Sequence, residues 1–388
     1  MNKINFDPVI LTQALVKCSS ITPKDEGALN IVEEHLNNIN FKCTRLPFSD
    51  KNTYDVNNLF ATIGLTGKHL AFAGHTDVVP PGNESSWKYP PFSATIENDK
   101  MFGRGTEDMK SNIACFISAT NKFIEKHGSD FGGKLSFIIT GDEEGLAING
   151  TPKIMEWTKK NNISFDHCIV GEPTSDKFIG DKIKIGRRGS LSCNLEVQGS
   201  QGHVAYPHLS KNPINSLIAI CKKLKEKRLD KGNKHFQPSN LEFTGIHVDN
   251  TVHNVIPSRA KMQFNIRYNN FHTATSLKKM INSAVNSICK KNKVKFKIEF
   301  LTSGDAFLTK PDTTIQMVKK IIKKITKVNT IFSTTGGTSD ARFIKKIAPC
   351  LEFGLVNKTM HKIDECVSLT DLKKLTKIYQ NILIEYFK

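Results

Sequence analysis

The chain reads as an α/β protein interrupted by a smaller α+β domain, and three observations carry that reading. Four short apolar runs, HLAFAGHTD (69–77), KLSFIITGDEE (134–144), DHCIVGEP (166–173) and CLEFGLVNKTMH (350–361), each end in polar, ionisable or glycine-rich residues. Helical patterns lie between them, as from Asn112 to Glu125, and strands alternating with helices indicate a mainly parallel sheet. Between about 185 and 301 the texture changes: LSCNLEVQG (191–199) and AKMQFNIRY (260–268) alternate apolar and polar residues, as half-buried strands do. At 388 residues the chain suits two domains. The expected division is one domain built from 1–184 and 302–388, with a second inserted over 185–301.

Taken in order, residues 7–41 open the chain with a helical pattern, Val9, Leu11, Leu15 and Val16 and then Ala28 to Leu36 with acids interspersed. The four apolar runs then supply strands whose ionisable residues fall at the carboxyl ends, where ligands collect in such sheets. Inside the insertion, amphipathic stretches near 213–228 and 273–291 accompany the alternating strands. Two strand-helix units of this kind predict a four-stranded sheet. After 302 the pattern returns to helix (312–327), strand and a final helix (369–386). There is no internal repeat and no long low-complexity linker.

Composition narrows the function classes. Hydrophobic residues make up 38% of the chain, enough for a sizeable core. The opening MNKINFDPVILTQALVKCSS lacks a signal peptide's uninterrupted apolar run, and no stretch reaches the roughly 18 apolar residues of a membrane span. The expectation is a soluble, cytoplasmic protein with no membrane partner. Nine cysteines are scattered, odd in number and never in a C-x-x-C pair, which argues against a disulfide framework and a thiolate zinc site. The net charge of +18 comes from lysines spread along the whole chain, with eight arginines among 55 basic residues. Nucleic-acid sites concentrate basic groups, so this reads as solvated faces and not as a nucleic-acid partner. Arg104, Arg187, Arg188, Arg267 and Arg342 all fall in motif-like segments, where a planar fork serves better than an ammonium.

Chemistry gathers at the strand ends. His75 and Asp77 lie two apart after an apolar run, so both side chains point to one side; this suits a metal-binding imidazole with a carboxylate beside it. Asp108, in MFGRGTEDMKSNIA, stands directly before a helix. Its two oxygens can bridge two cations, or it can simply cap the helix. Asp142, Glu143 and Glu144 are adjacent acids that repel one another unless cations or separate partners intervene, or that face water in a turn. Glu172 and His361 repeat the placement just beyond short apolar runs. Carboxylate and imidazole ligands without thiolate favour zinc, with cobalt or manganese as alternatives.

The ordered motifs GHTDVVPPG, GRGTEDMK, TGDEE, GEPT, RRGSL, QGSQGHVAYPHLSKNPI, STTGGTSDARF and NKTMHKIDECVS resemble those of the M20 metallopeptidases, over about residues 70 to 370. The resemblance implies the phosphorylase/hydrolase-like fold of zinc peptidases, with an inserted α+β lid and dimerisation domain. It implies two divalent metal ions per subunit, zinc or cobalt. Asp108 would bridge both, His75 and Glu172 would complete one site, and Glu144 and His361 the other. Asp77 would orient His75, and Glu143 would be the general base. His203 would stabilise the oxyanion from the partner subunit of a homodimer. A non-proline cis peptide would follow Asp108. Arg187, Arg188, Ser190, Asn254, Arg267, Gly337, Thr338 and Asn357 would contact a small-molecule substrate.

The reaction implied is hydrolysis of N-succinyl-LL-2,6-diaminopimelate to LL-2,6-diaminopimelate and succinate. A related deacylase, acting on acetylornithine or on acylated amino acids, is the alternative. Two positions depart from the family's pattern. Glu107 stands where a small residue is usual before the bridging aspartate, and alternation predicts that it points away from the metals. His253 stands where an asparagine is common, ahead of Asn254.

Overall fold

Strand Lys68–His75 is buried on both faces along nearly all its length, as a central parallel strand must be. It pairs in parallel with Gly133–Thr140 on one side and His167–Val170 on the other, and the latter pairs in parallel with Cys350–Glu352. The computed structural model describes residues 4–388. The full sheet has eight strands, adding Lys42–Arg45 and Leu59–Ile63 at one edge and Lys182–Lys184 and Ile331–Ser333 at the other. It is parallel in the middle, whereas the edge pairs Lys42–Arg45 with Leu59–Ile63 and Leu59–Ile63 with Gly133–Thr140 are antiparallel. Three of these added strands are three or four residues long. Runs that short carry too little periodicity to stand out in sequence.

Helix Lys110–His127 lies against the central strand and packs on Pro8–Lys17 and Leu369–Tyr386. Phe72 stacks on Phe116 with centroids 4.1 Å apart, Phe116 meets Tyr379 edge-on at 5.0 Å, and the Tyr379 hydroxyl donates to the Phe353 carbonyl at 2.6 Å. The buried hydroxyl is thereby satisfied. Helix starts follow their local chemistry. Asp7 accepts from the Val9 amide ahead of Pro8, and Asp312 accepts from the Ile315 amide at the head of Thr313–Thr326.

By contacts the chain forms two compact units. The first runs to Ile185 and includes Thr309–Ser333 and Ser339–Lys388; the second comprises Gly186–Leu308 and Thr334–Thr338. The second unit holds an antiparallel four-stranded sheet in the order Asn240–His247, Arg259–Tyr268, Gly189–Gln198, Lys295–Gly304. Helices Pro213–Glu226 and Ala274–Asn292 cover one face, burying Leu195, Met262, Phe264, Leu217, Ile220 and Ile281 in one cluster. The border expected at 301 falls inside Lys295–Gly304, which pairs with Gly189–Gln198 as far as Gly304 opposite Ser190. Thr334–Thr338, expected with the larger domain, groups with the second unit, where Arg187 Nη1 donates to the Gly337 carbonyl at 3.3 Å. Among the described residues no helix is long and apolar enough to cross a membrane.

Phe72→Ala removes a fully buried ring from the centre of the first unit. Denaturant unfolding of this variant is expected to show a loss of about 3–5 kcal/mol for the transition of that unit. A loss below about 1 kcal/mol contradicts the packing described.

Candidate active site

The apolar strands stop where their chemistry begins. Gly133–Thr140 ends before Asp142, His167–Val170 before Glu172, and the run that begins at Cys350 is a strand only to Glu352. Beyond those ends the chain turns, and the ionisable residues of the first unit gather at one edge of the sheet.

Asp108 is the hub. Its Oδ1 lies 3.1 Å from His75 Nε2 and its Oδ2 3.1 Å from His361 Nε2. Glu172 Oε1 approaches His75 Nε2 at 4.0 Å, and Glu144 Oε1 meets His361 Nε2 at 2.8 Å. The other four side chains expected to ligate metal therefore surround the Asp108 carboxylate, one imidazole and one further acid on each of its oxygens. Ligand atoms of His75, Asp108 and Glu144 all lie within 4.8 Å of one another. The Asp108–Met109 peptide is cis.

Electrostatics follow from this crowding. Burial presses the His75 imidazole toward neutrality, but the Asp108, Asp77 and Glu172 carboxylates hold its pKa well above the usual value. Hydrogen bonds to Asp108 and Glu144 push His361 up to about 10. Burial raises the Asp108 carboxyl, yet the two imidazoles outweigh it and hold that group below its ordinary range. Glu143 is driven well above the carboxylate range by burial and by the charges of Glu172 and Asp340. Four acids (Asp108, Glu143, Glu144, Glu172) thus face two imidazoles, an excess of negative charge in a largely buried site. Oxygen and nitrogen donors in that surplus fit divalent cations such as zinc, manganese or cobalt.

Asp77 holds the site together differently from the sequence expectation. His75 Nδ1 bonds the Asp77 backbone carbonyl at 2.9 Å, while the Asp77 carboxylate stands 3.6 Å away. That carboxylate instead accepts the Thr22 hydroxyl at 2.6 Å and the amides of Glu143 and Glu144 at 3.2 and 3.0 Å. One residue thus sets the imidazole through its main chain and the two acids through its side chain.

Three participating residues have no assigned place in the sequence reading. Arg342 Nη1 lies 3.8 Å from Glu143 Oε1 on a side chain only 9% exposed, and its Nε and Nη1 lack hydrogen-bond partners among the described residues. Its position in STTGGTSDARF was the available signal. Asp340 accepts the Thr151 hydroxyl at 2.6 Å beside it. Glu365, fully buried, accepts the Glu107 and Asp108 amides at 2.8 and 3.2 Å and pairs with Arg104 at 2.5 Å. Its place four residues after His361 was the only hint. Asn357 lies on the first unit too, its amide nitrogen 3.4 Å from the Pro173 carbonyl next to Glu172.

The remaining candidates belong to the second unit and form two groups. Ser190 and Arg267 face each other across neighbouring strands, Arg188 Nη1 donates to Asn240 Oδ1 at 2.9 Å, and Asn240 is itself opposite Arg267. Burial and the Arg267 charge depress the Arg188 pKa. Arg187 reaches Gly337, and Thr338 follows it. Separately, exposed His203 and Asn254 sit on a two-stranded ribbon in which His203 pairs with Val255 and the Val204 amide donates to the Asn254 carbonyl at 3.0 Å. His253 is exposed beside them.

Comparison with known proteins follows the same lines. The model of peptidase family M20/M25/M40 matches residues 71–385. The succinyl-diaminopimelate desuccinylase of Pelagibacter ubique (strain HTCC1062) is 53% identical over 98% of this chain and 99% of its own. The aminopeptidase PepT from Bacillus cereus ATCC 10987 shares the fold with a TM-score of 0.79 at 18% identity, over 99% of this chain and 100% of that one. The Bacillus subtilis YXEP protein, a dinuclear metal-binding peptidase of family M20, does so with a TM-score of 0.70 at 13% identity, over 98% and 97%.

Asp108→Asn leaves the volume but replaces one carboxylate oxygen by an amide nitrogen that cannot ligate. Elemental analysis of the purified variant is expected to show less bound divalent metal, with affinity falling by more than the about 10–100-fold that loss of an outer partner costs. Unchanged metal content removes Asp108 from the centre of the site.

Proposed function

The chain belongs to peptidase family M20/M25/M40, and from that premise we propose that it hydrolyses N-succinyl-LL-2,6-diaminopimelate to LL-2,6-diaminopimelate and succinate. This is an amide hydrolysis in the biosynthesis of diaminopimelate and lysine, and of the peptidoglycan precursors that draw on them. Relatives that carry the desuccinylase name at 46–53% identity over nearly the whole chain support the substrate. The observation that carries the chemistry is the Asp108 carboxylate with an imidazole on each oxygen and Glu143 beside the acids that flank them.

Two divalent ions, zinc or cobalt, would be held by these groups. Asp108, His75 and Glu172 would hold one; Asp108, Glu144 and His361 the other. When bound, such ions polarise an amide carbonyl and make water acidic enough to attack it near neutral pH. The side chains do the rest. Glu143 takes the proton of the attacking water on its carboxylate and later delivers it to the leaving nitrogen, so the amine departs neutral. Its main-chain amide donates to the Asp77 carboxylate at 3.2 Å, which fixes that end of the residue. Arg342, with unpaired donors beside Glu143, offers charge to an anionic substrate group.

The substrate carries a succinyl carboxylate and two α-carboxylates. Arg187, Arg188 and Arg267, with Ser190, Asn254, Gly337, Thr338 and Asn357, would receive them, guanidinium forks matching carboxylates two bonds at a time. Burial and, after it, the Arg267 charge depress the Arg188 pKa, and an anion placed beside these guanidinium groups offsets both effects. His203 would act across a homodimer interface, donating to the oxyanion of the partner's substrate. Its exposure on a ribbon away from its own unit's core supports that role. A deacylase of acetylornithine or of acylated amino acids needs fewer carboxylate receptors and is not favoured.

Metal-stripped protein, reloaded stepwise with zinc, is expected to cleave succinyl-diaminopimelate at least about 100-fold faster than acetylornithine in kcat/KM, equivalent to about 3 kcal/mol of selective transition-state binding. A preference for acetylornithine overturns the substrate. Coexpressed His203→Ala and Glu143→Ala chains, each inactive alone, are expected to recover about a quarter of wild-type turnover if half the dimers are mixed and each mixed dimer holds one intact site. No recovery from demonstrably mixed dimers places His203 in its own subunit's site or outside the mechanism.

A further inference from the structure

His361 differs from the other three groups around Asp108. They are buried or nearly so, whereas its side chain is 43% exposed. It also stands in a turn and not at a strand end, with φ at 62°, and Asp364, three residues on, has φ at 59°, both in the left-handed region that His and Asp enter more readily than most residues. Hydrogen bonds from inside and outside the turn fix it there.

The braces are visible. The Cys366 amide donates to Thr359 Oγ1 at 2.9 Å and the Lys362 amide to the Thr359 carbonyl at 2.9 Å, closing the turn on itself. The Lys88 amide donates to Asp364 Oδ1 at 2.7 Å. The Thr359 amide, at the entry of the turn, donates to Glu107 Oε2 at 2.8 Å. Glu107 is the residue that departs from the family's pattern. In return Glu365 grips the Glu107 and Asp108 amides from the far end of the turn. Two buried carboxylates therefore clasp two segments reciprocally: one holds the backbone of Asp108, the other the backbone that presents His361.

We infer that Glu107 is a positioning residue, whose carboxylate fixes the Thr359 amide and so sets where His361 meets Asp108 and Glu144. The inference rests on the metal-site reading above. Carboxylates that accept main-chain donors beside a ligand orient that ligand and tune its affinity, although they never touch the metal.

Calorimetry of zinc binding to metal-stripped, full-length protein separates the outcomes. Glu107→Met keeps the volume and removes the acceptor; Glu107→Gln keeps an acceptor oxygen and removes the charge. Glu107→Met is expected to weaken one of two zinc-binding steps by about 10–100-fold and to leave the other within about threefold, while Glu107→Gln stays within about threefold on both. Wild-type affinities in Glu107→Met overturn the inference, and so does a Glu107→Gln variant that is folded yet weakened. If Glu107→Met fails to fold, Glu107→Gln decides alone. A wild-type protein that binds no zinc sinks the metal reading itself, which is a different failure.

Discussion

One carboxylate shared between two imidazoles governs this molecule. Asp108 spends one oxygen on His75 and the other on His361, and each imidazole has a further acid at its side. Two histidines cannot balance four clustered acids, so the arrangement is costly unless protons or cations make up the charge. The fold accepts that cost because the acids arrive on three separate segments: Asp108 just before Lys110–His127, Glu143 and Glu144 together after Gly133–Thr140, and Glu172 after His167–Val170. The apolar strands and the aromatic stack of Phe72, Phe116 and Tyr379 hold the frame, and the charged ends have no freedom to drift apart.

Around that centre, carboxylates serve as anchors for main chain more often than as partners for cations. Asp77 takes the amides of Glu143 and Glu144, Glu365 those of Glu107 and Asp108, and Glu107 that of Thr359. Each bond is charge-assisted and largely removed from water, where such bonds are strong and a missing one is expensive. Arg104 neutralises Glu365 and lies over the Trp87 ring. The second unit reverses the sign: Arg187, Arg188 and Arg267 crowd one end of its sheet.

Much of the architecture was legible in the chain. The long central strands and helices were visible because burial on both faces, or alternation on one, leaves a pattern several residues long. Lys42–Arg45, Lys182–Lys184 and Ile331–Ser333 were not, because three or four residues hold at most two periods of a strand's alternation. The return of Thr334–Thr338 to the second unit was equally hidden, since nothing in STTGG states which sheet it joins. Arg342 and Glu365 sat in recognised motifs, yet their partners lie 199 and 258 residues away in the case of Glu143 and Glu107.

The order of residue types along the chain determined which side chains could be chemical: ionisable groups placed just past apolar runs have to emerge at sheet ends, because the strands cannot bury them. What sequence left open was which atoms of those residues would be used. Only folding decided that the Asp77 carbonyl, and not its carboxylate, meets His75, and that Glu107 turns toward Thr359. Such choices depend on loop geometry over a few ångströms, set by contacts between segments remote along the chain, and a linear pattern carries no record of those distances.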